Sequence, residues 1–220
     1  MRYTTEQMRA FESILESTPV PAKISPTVYG VGINDCGFQV RTTVNGRLFT
    51  HRAYEIWRGI IRRCYSESSL INRPTYRGSS VSNEWIRFSS FHGWWKVNHV
   101  PGWHIDKDML SGVDSIYSSS TCVFVPPELN AFITLRGNHR GPYPIGVHKQ
   151  GNKFRARVNN GRGVKIYLGD YSSPEVAHAK WLSYKLMLAK QYKPLCDSIH
   201  KELYQGMVDF IIRESKESLK

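Results

Sequence analysis

Four cysteines occur in 220 residues, Cys36, Cys64, Cys122 and Cys196, and no two of them form a C-x-x-C pair. That spacing speaks against a zinc knuckle and a dithiol redox motif, so no structural zinc is expected and the thiols are read as reduced core residues. No apolar run reaches the roughly 18 residues of a membrane-spanning helix. The opening MRYTTEQMRAFESILES also lacks the apolar core of a signal peptide. A soluble, cytoplasmic protein with no membrane partner is the expectation. Acidic residues are scarce where basic ones gather: between Arg136 and Lys193 twelve Lys and Arg stand against Asp170 and Glu175, a net +10 out of +12 for the whole chain. A cationic stretch joined to a nearly neutral remainder points to a polyanion, because phosphate contacts release counterions and supply most non-specific affinity. The plainer alternative is a solvated basic surface.

What is present argues for a folded chain, since 40% of residues are apolar and 12% aromatic, enough for one large or two small cores. Met8, Phe11, Ile14 and Leu15 have helical spacing, so residues 1–16 are expected to form an amphipathic helix packing as a lid. Pro19, Pro21 and Pro26 make Thr18–Pro26 an extended linker. Phe38–Val44 and Arg47–Thr50 flank Asn45-Gly46, the dipeptide of a type I′ hairpin turn. Tyr54, Trp57, Ile60, Ile61 and Cys64 mark one apolar helix face, leaving Arg58, Arg62 and Arg63 on the other as phosphate contacts or as a solvated surface. Asn83 is placed to cap a second helix whose aromatic stripe, Trp85, Phe88, Phe91 and Trp94 or Trp95, reads as core. A last amphipathic helix over 195–216, through Leu195, Ile199, Leu203, Met207, Phe210 and Ile211, needs a partner for its wide apolar face. The N-terminal helix or a second copy of the chain would serve, the latter giving a homodimer.

The stretch Trp103–Phe132 reads strand, turn, strand, helix, with Pro126-Pro127 at the helix start. His104, Asp106 and Asp108 fall on one strand face by the two-residue repeat, and Asn130 falls in the first turns of the helix. Carboxylate and amide oxygens of this kind suit a hard cation that keeps several waters. His104-Ile105-Asp106-Lys107-Asp108 resembles the H-x-D-H-D motif of HNH (His-Me finger, ββα-metal) nucleases, with Lys107 where that family has its general-base histidine. Tyr54–Tyr65, Pro74-Thr75-Tyr76, Val81–Trp85 and Tyr117–Pro126 resemble bacteriophage HNH-like proteins that carry the same Asp-Lys-Asp version. The resemblance implies a catalytic set of His104, Asp106, Lys107, Asp108 and Asn130. Asp106 and Asn130 would hold Mg²⁺ or Mn²⁺, and His104, Lys107 or Asp108 would help activate water. A free lysine is neutral only about once in a thousand near pH 7.5, so a lysine in the base position costs about three decades of rate, or ~4 kcal/mol, unless its surroundings change it.

Farther on come Ile145-Gly146-Val147, Lys153–Val158, Lys165–Gly169, and a helix through Ala177, Trp181, Tyr184 and Leu188, capped by Ser173 with Pro174 at its first position. Three short strands and a helix in this order, with these residues, resemble the Apetala/ethylene-response-factor type of DNA-binding domain. By position the resemblance assigns DNA contacts to His148, Lys149, Lys153, Arg155, Arg157, Arg162, Lys165 and Tyr167, to which Arg58 and Arg62 are added from the upstream helix. Arginine forks read guanine edges, whereas lysine mostly meets phosphate.

The expected protein is α+β: an N-terminal helix and linker over 1–27, then an HNH-like module with a β-hairpin, helices and a ββα-metal core over 28–135. After a linker at 136–144 come a three-stranded antiparallel sheet plus helix over 145–193 and an amphipathic helix over 194–220. The expected function is that of a phage-type, metal-dependent DNA endonuclease, similar to mobile homing endonucleases, acting on double-stranded DNA in the host cytoplasm. The alternatives are an HNH-derived DNA-binding or regulatory protein without catalysis, and RNA as the substrate.

Overall fold

The computed structural model describes residues 3–20, 27–112, 115–135 and 142–219. The chain is α+β, with small separate sheets and eight α-helices among the described residues. It divides into two compact units, one of Met1–Pro101 with Val113–Cys122 and one of Gly102–Gly112 with Val123–Lys220. The modules expected at 28–135 and 145–193 do not follow this division. The reason is a shared core: Met109, Val125, Leu129 and Phe132 belong to the same apolar cluster as Ile145, Val158, Trp181 and Met207. Of the two linkers expected from sequence, residues 21–26 and 136–141 lie outside the described residues.

In the first unit, helix α1 (Thr5–Ser17) opens with a capping box in which Thr4 Oγ1 accepts from Gln7 N and the Gln7 side chain accepts from Thr4 N. Strands β1 (Arg41–Val44) and β2 (Arg47–Thr50) pair through Asn45 and Gly46, whose φ values of 50° and 73° are the positive pair a type I′ turn requires. Helix α2 (Arg52–Tyr65) buries Trp57, Ile60 and Ile61 completely. The short α3 (Glu67–Asn72) and strand β3 (Ser80–Val81) lead to α4 (Phe88–Asn98). This helix starts later than expected: Asn83 does not cap it, because Ser82 Oγ accepts from Trp85 N in a preceding turn and Arg87 holds the N-cap position. Trp85, Phe88 and Phe91 are fully buried, and Trp57 Nε1 donates to Trp85 O at 2.7 Å. The aromatic stripe is core.

In the second unit, β4 (His104–Asp106) pairs antiparallel with β6 (Val123–Val125), followed by α5 (Pro127–Ile133). The return between these strands is not a simple turn, since Val113–Cys122 belongs to the first unit, where β5 (Ile116–Tyr117) lies parallel to β3. Strands β7 (Val147–Gln150), β8 (Lys153–Asn159) and β9 (Lys165–Tyr171) form an antiparallel meander backed by α6 (Pro174–Gln191), which Ser173 caps by accepting from Val176 N. Ala156 on the sheet and Ala177 on the helix are small enough for close packing. At Gly146 φ is +81°, and a Cβ would stand 2.1 Å from the Trp181 ring, so only glycine lets that indole seat.

The helix expected over 195–216 is two helices, α7 (Lys193–Ile199) and α8 (Leu203–Glu217). They are separated where His200 Nδ1 accepts from Glu202 N and Leu203 N donates to His200 O. Their apolar side, with Cys196, Leu203, Met207 and Ile211 fully buried, lies in the cluster of the second unit. Much of the apolar face of the expected helix thus packs within its own unit. Gly206 of α8 lies against the turn after β4, where a Cβ would be 1.8 Å from the Met109 carbonyl oxygen.

Candidate functional site

The register of the three-stranded sheet decides which side chains share its outer face. His148 pairs with Arg155, Gln150 with Lys153, Arg157 with Tyr167, and Asn159 with Lys165. Directly opposed residues point the same way, while the alternate residues Ala156 and Val158 turn into the core. Six of the expected contacts, His148, Lys153, Arg155, Arg157, Lys165 and Tyr167, thus lie together. Partial burial, then the neighbouring Arg157 and Lys165 cations, hold the His148 imidazole below its ordinary range.

The other expected positions differ. Lys149 pairs with Phe154 on the opposite side of the sheet and places Nζ 4.7 Å from that ring. Arg162 sits in the β8–β9 turn and pairs with Glu128 of α5 at 3.4 Å. Arg58 and Arg62 are exposed on α2, in the first unit. Arg63 is half-buried over Tyr76 at 5.9 Å, so it is not part of a bare basic face.

Arg155 is already occupied. The register shifts between Ala156 and Arg157, leaving an extra residue on β9 near Gly169, whose φ of +122° suits glycine. That bulge brings Asp170 opposite Arg155, which grips it with Nε to Oδ1 and Nη2 to Oδ2, each 2.8 Å, while stacking over Tyr167 at 5.2 Å. The Arg155 hydrogen bond holds the Asp170 carboxyl below the usual carboxylate range. Among the described residues Lys153, Arg157 and Lys165 make no ion pair.

The strand–strand–helix unit brings together only part of its expected set. Asn130 Nδ2 donates to His104 Nδ1 at 3.2 Å, with His104 exposed. Asp106 shares a strand face with His104, but the strand ends there and the following turn covers it. It is 6% exposed, and its Oδ1 accepts from Met109 N at 3.1 Å. Burial first, and then Asp108, push its carboxyl well above the ordinary carboxylate range. Lys107 is buried too, and donates to Asp108 Oδ1 at 2.5 Å. A hard divalent cation needs accessible oxygens and room for waters. Here the Asp106 carboxylate is buried under its own turn, the Asn130 amide meets His104 through its nitrogen, and Lys107 is tied to Asp108. With Asp106 buried, the pair assigned to Mg²⁺ or Mn²⁺ does not stand as two open oxygen ligands.

Among the described residues one group has metal-ligand chemistry at close quarters: Glu16, His51 and His92, whose ligand atoms lie within 4.8 Å of one another. Sequence reading missed it because the three residues are far apart in the chain with no local pattern. His51 Nδ1 accepts from Ala53 N, so Nε2 carries the proton and donates to Glu16 Oε1 at 3.3 Å. His92 Nε2 reaches the same oxygen at 2.9 Å, and Lys96 donates to Oε2 at 2.8 Å. Burial disfavours the Glu16 carboxylate, but hydrogen bonds from Lys96 and His92 outweigh it and hold its pKa down. Burial, then His92, lower His51 to about 4. As it stands the group ties α1 to α2 and α4, and a cation on His51 Nε2 would have to displace a proton beside the Lys96 ammonium.

Helix α5 is fastened to the sheet by a third buried feature. Lys185 of α6, 1% exposed, donates Nζ to Phe132 O at 2.6 Å and Asn159 O at 3.3 Å, with the Phe132 ring 3.4 Å away. Burial lowers its pKa to about 7. Below pH 7 the amine is charged in both folded and unfolded states, and the folded state bears the full cost of burying it. From pH 7 to about 10.4 only the unfolded chain keeps the proton, so stability rises with pH by up to about 1.4 kcal/mol per unit. Chemical denaturation from pH 6 to about 10.4 should show this gain in the native protein relative to Lys185→Met. Equal slopes in the two proteins would disprove the assignment.

No protein-family model, no curated protein and no solved structure matches this chain.

Proposed function

We propose that the protein binds double-stranded DNA on the outer face of β7–β9, with the HNH-like ββα unit as structural support for that sheet. The reading is carried by the clustering of His148, Lys153, Arg155, Arg157, Lys165 and Tyr167 on one face. A β-ribbon fits the major groove, where lysines meet phosphates and an arginine fork reaches guanine O6 and N7. The resemblance to the Apetala/ethylene-response-factor type supports the same face. The supporting role of the ββα unit follows from its fastenings, Arg162 to Glu128 and Lys185 to the α5 carbonyl, and from Asp106 and Lys107 being turned inward.

Gel shifts of the intact protein on duplex DNA at low and high salt test the binding, with duplex RNA in parallel. Binding that weakens steeply with salt and favours DNA is expected. No retention of DNA at low salt, or tighter binding to RNA, removes the proposal.

A second reading, metal-dependent endonuclease, is favoured by the His104–Asn130 contact at the mouth of the ββα unit. It would require Mg²⁺ or Mn²⁺ and a rearranged Asp106. Plasmid incubated with each ion and with EDTA separates the readings: cleavage lost in Asn130→Ala establishes the nuclease, and intact plasmid leaves the supporting role.

A further inference from the structure

A cavity of about 210 Å³ lies on the exposed side of α2, walled by Tyr29, Arg41, Thr50, Arg58 and Arg62, with Gly59 between the last two. All of these residues are in the first unit. Arg41 stands over the Tyr54 ring at 5.5 Å and Arg58 over the Tyr29 ring at 5.7 Å, so aromatic faces hold two of the three guanidinium groups in place. Among the described residues none of the three arginines is ion-paired, and Glu55, the one carboxylate in the wall, is taken by Arg52 at 3.2 Å. The cavity therefore carries net positive charge, three guanidinium groups against one carboxylate.

Two backbone features point to an occupant. Gly59 weakens a helix interior relative to alanine, yet a Cβ there would meet nothing within 4 Å. Packing does not demand the glycine; its missing side chain leaves room beside Arg58 and Arg62. Tyr29 holds φ at 52°, a left-handed conformation uncommon for an aromatic residue, in a turn closed by Gly32 N to Val28 O at 2.9 Å. Strain of this kind collects at ligand sites.

We infer that this cavity is a phosphate-binding pocket that takes the phosphate group of a mononucleotide or of a nucleic-acid strand. Guanidinium forks match phosphate oxygens two at a time, and the Thr50 and Tyr29 hydroxyls add neutral donors. The pocket lies apart from the sheet face in sequence and in compact unit, and its existence does not depend on the sheet binding DNA.

The test uses the intact chain carrying Lys153→Ala, Arg157→Ala and Lys165→Ala, so that the sheet is neutralised. Inorganic phosphate, AMP and a short single-stranded oligonucleotide are titrated by calorimetry. Two pocket variants are compared in that background: Arg58→Gln with Arg62→Gln, and Gly59→Glu, which adds a carboxylate at a lining position where a Cβ meets nothing within 4 Å. Binding of at least one probe is expected, weakened about tenfold or more by each variant. AMP or phosphate binding identifies the free ligand as a source, and oligonucleotide binding alone identifies the strand. The inference fails if no probe binds the sheet-neutralised protein, or if the pocket variants bind within about twofold of their parent. Should one variant lose its helical circular dichroism, the other decides. Failure of the sheet reading looks different: duplex DNA would then bind the sheet-neutralised and native proteins alike.

Discussion

Gly206→Ala is expected to cost about 3 kcal/mol or more of stability, at the upper end of what overpacking usually costs. Substituting alanine for a helical glycine normally stabilises by about 1 kcal/mol, so the sign alone is diagnostic. The added methyl would lie 1.8 Å from the Met109 carbonyl oxygen, and that atom is backbone, so no rotamer change relieves the overlap. Either α8 must lift off, exposing Leu203, Met207 and Ile211, or the turn after Asp106 must open. The urea midpoint should fall, and the protection of amides in α8 should fall with it. A midpoint equal to or above the native value would show that the close approach is absent in solution. Gly59→Ala, also helical but facing open space, is the control and should be neutral or stabilising.

Lys153→Ala, Arg157→Ala and Lys165→Ala together are expected to weaken duplex DNA binding by about two to three decades near 100 mM salt, since each phosphate contact contributes close to one unit of salt slope. A plot of log affinity against log salt should flatten by about 1.8, that is, about 0.9 for each of the two lysines, while Arg157 contributes through its base contact. An unchanged slope would place the interface elsewhere. Arg155 behaves differently because it is already held by Asp170. Arg155→Ala bares a carboxylate in the middle of the cationic face, so its loss should be large, and Asp170→Ala in the same chain should restore part of it. Such non-additivity is the mark of a coupled pair. Lys149→Ala, on the other side of the sheet, should have a small effect.

These differences show what a sequence conveys. The Asn45-Gly46 hairpin, the alternation of Lys153–Val158 and the Ser173-Pro174 helix start were legible because each is a local signal within one element. The two-residue repeat also placed Arg155 and Arg157 on one face, although the partner of Arg155 depends on a bulge in another strand. Lys149, assigned by position from the resemblance, stands opposite Phe154 on the other side of the sheet, where strand parity sets it. Asp106 was legible as a strand residue and not as a buried one, since alternation says nothing about a turn folding over the strand's last residue. The Glu16, His51 and His92 group and the arginine pocket are assembled from segments far apart, for which no periodicity exists.

The departure of Val113–Cys122 from between β4 and β6 has a consequence for assembly of the chain. The second unit is discontinuous, so its first strand cannot pair until the ribosome has released β6, and the intervening segment must satisfy its own pairing with β3. Closing that loop costs chain entropy before any strand contact repays it, which slows folding. Nor can the units be exchanged as beads on a string. A fragment beginning near residue 140 would carry the sheet and α6 but leave Val158, Trp181 and Leu188 without Met109, Val125, Leu129 and Phe132. Such a piece should be poorly soluble, and a working minimal fragment must start before His104 and retain or bridge the excursion.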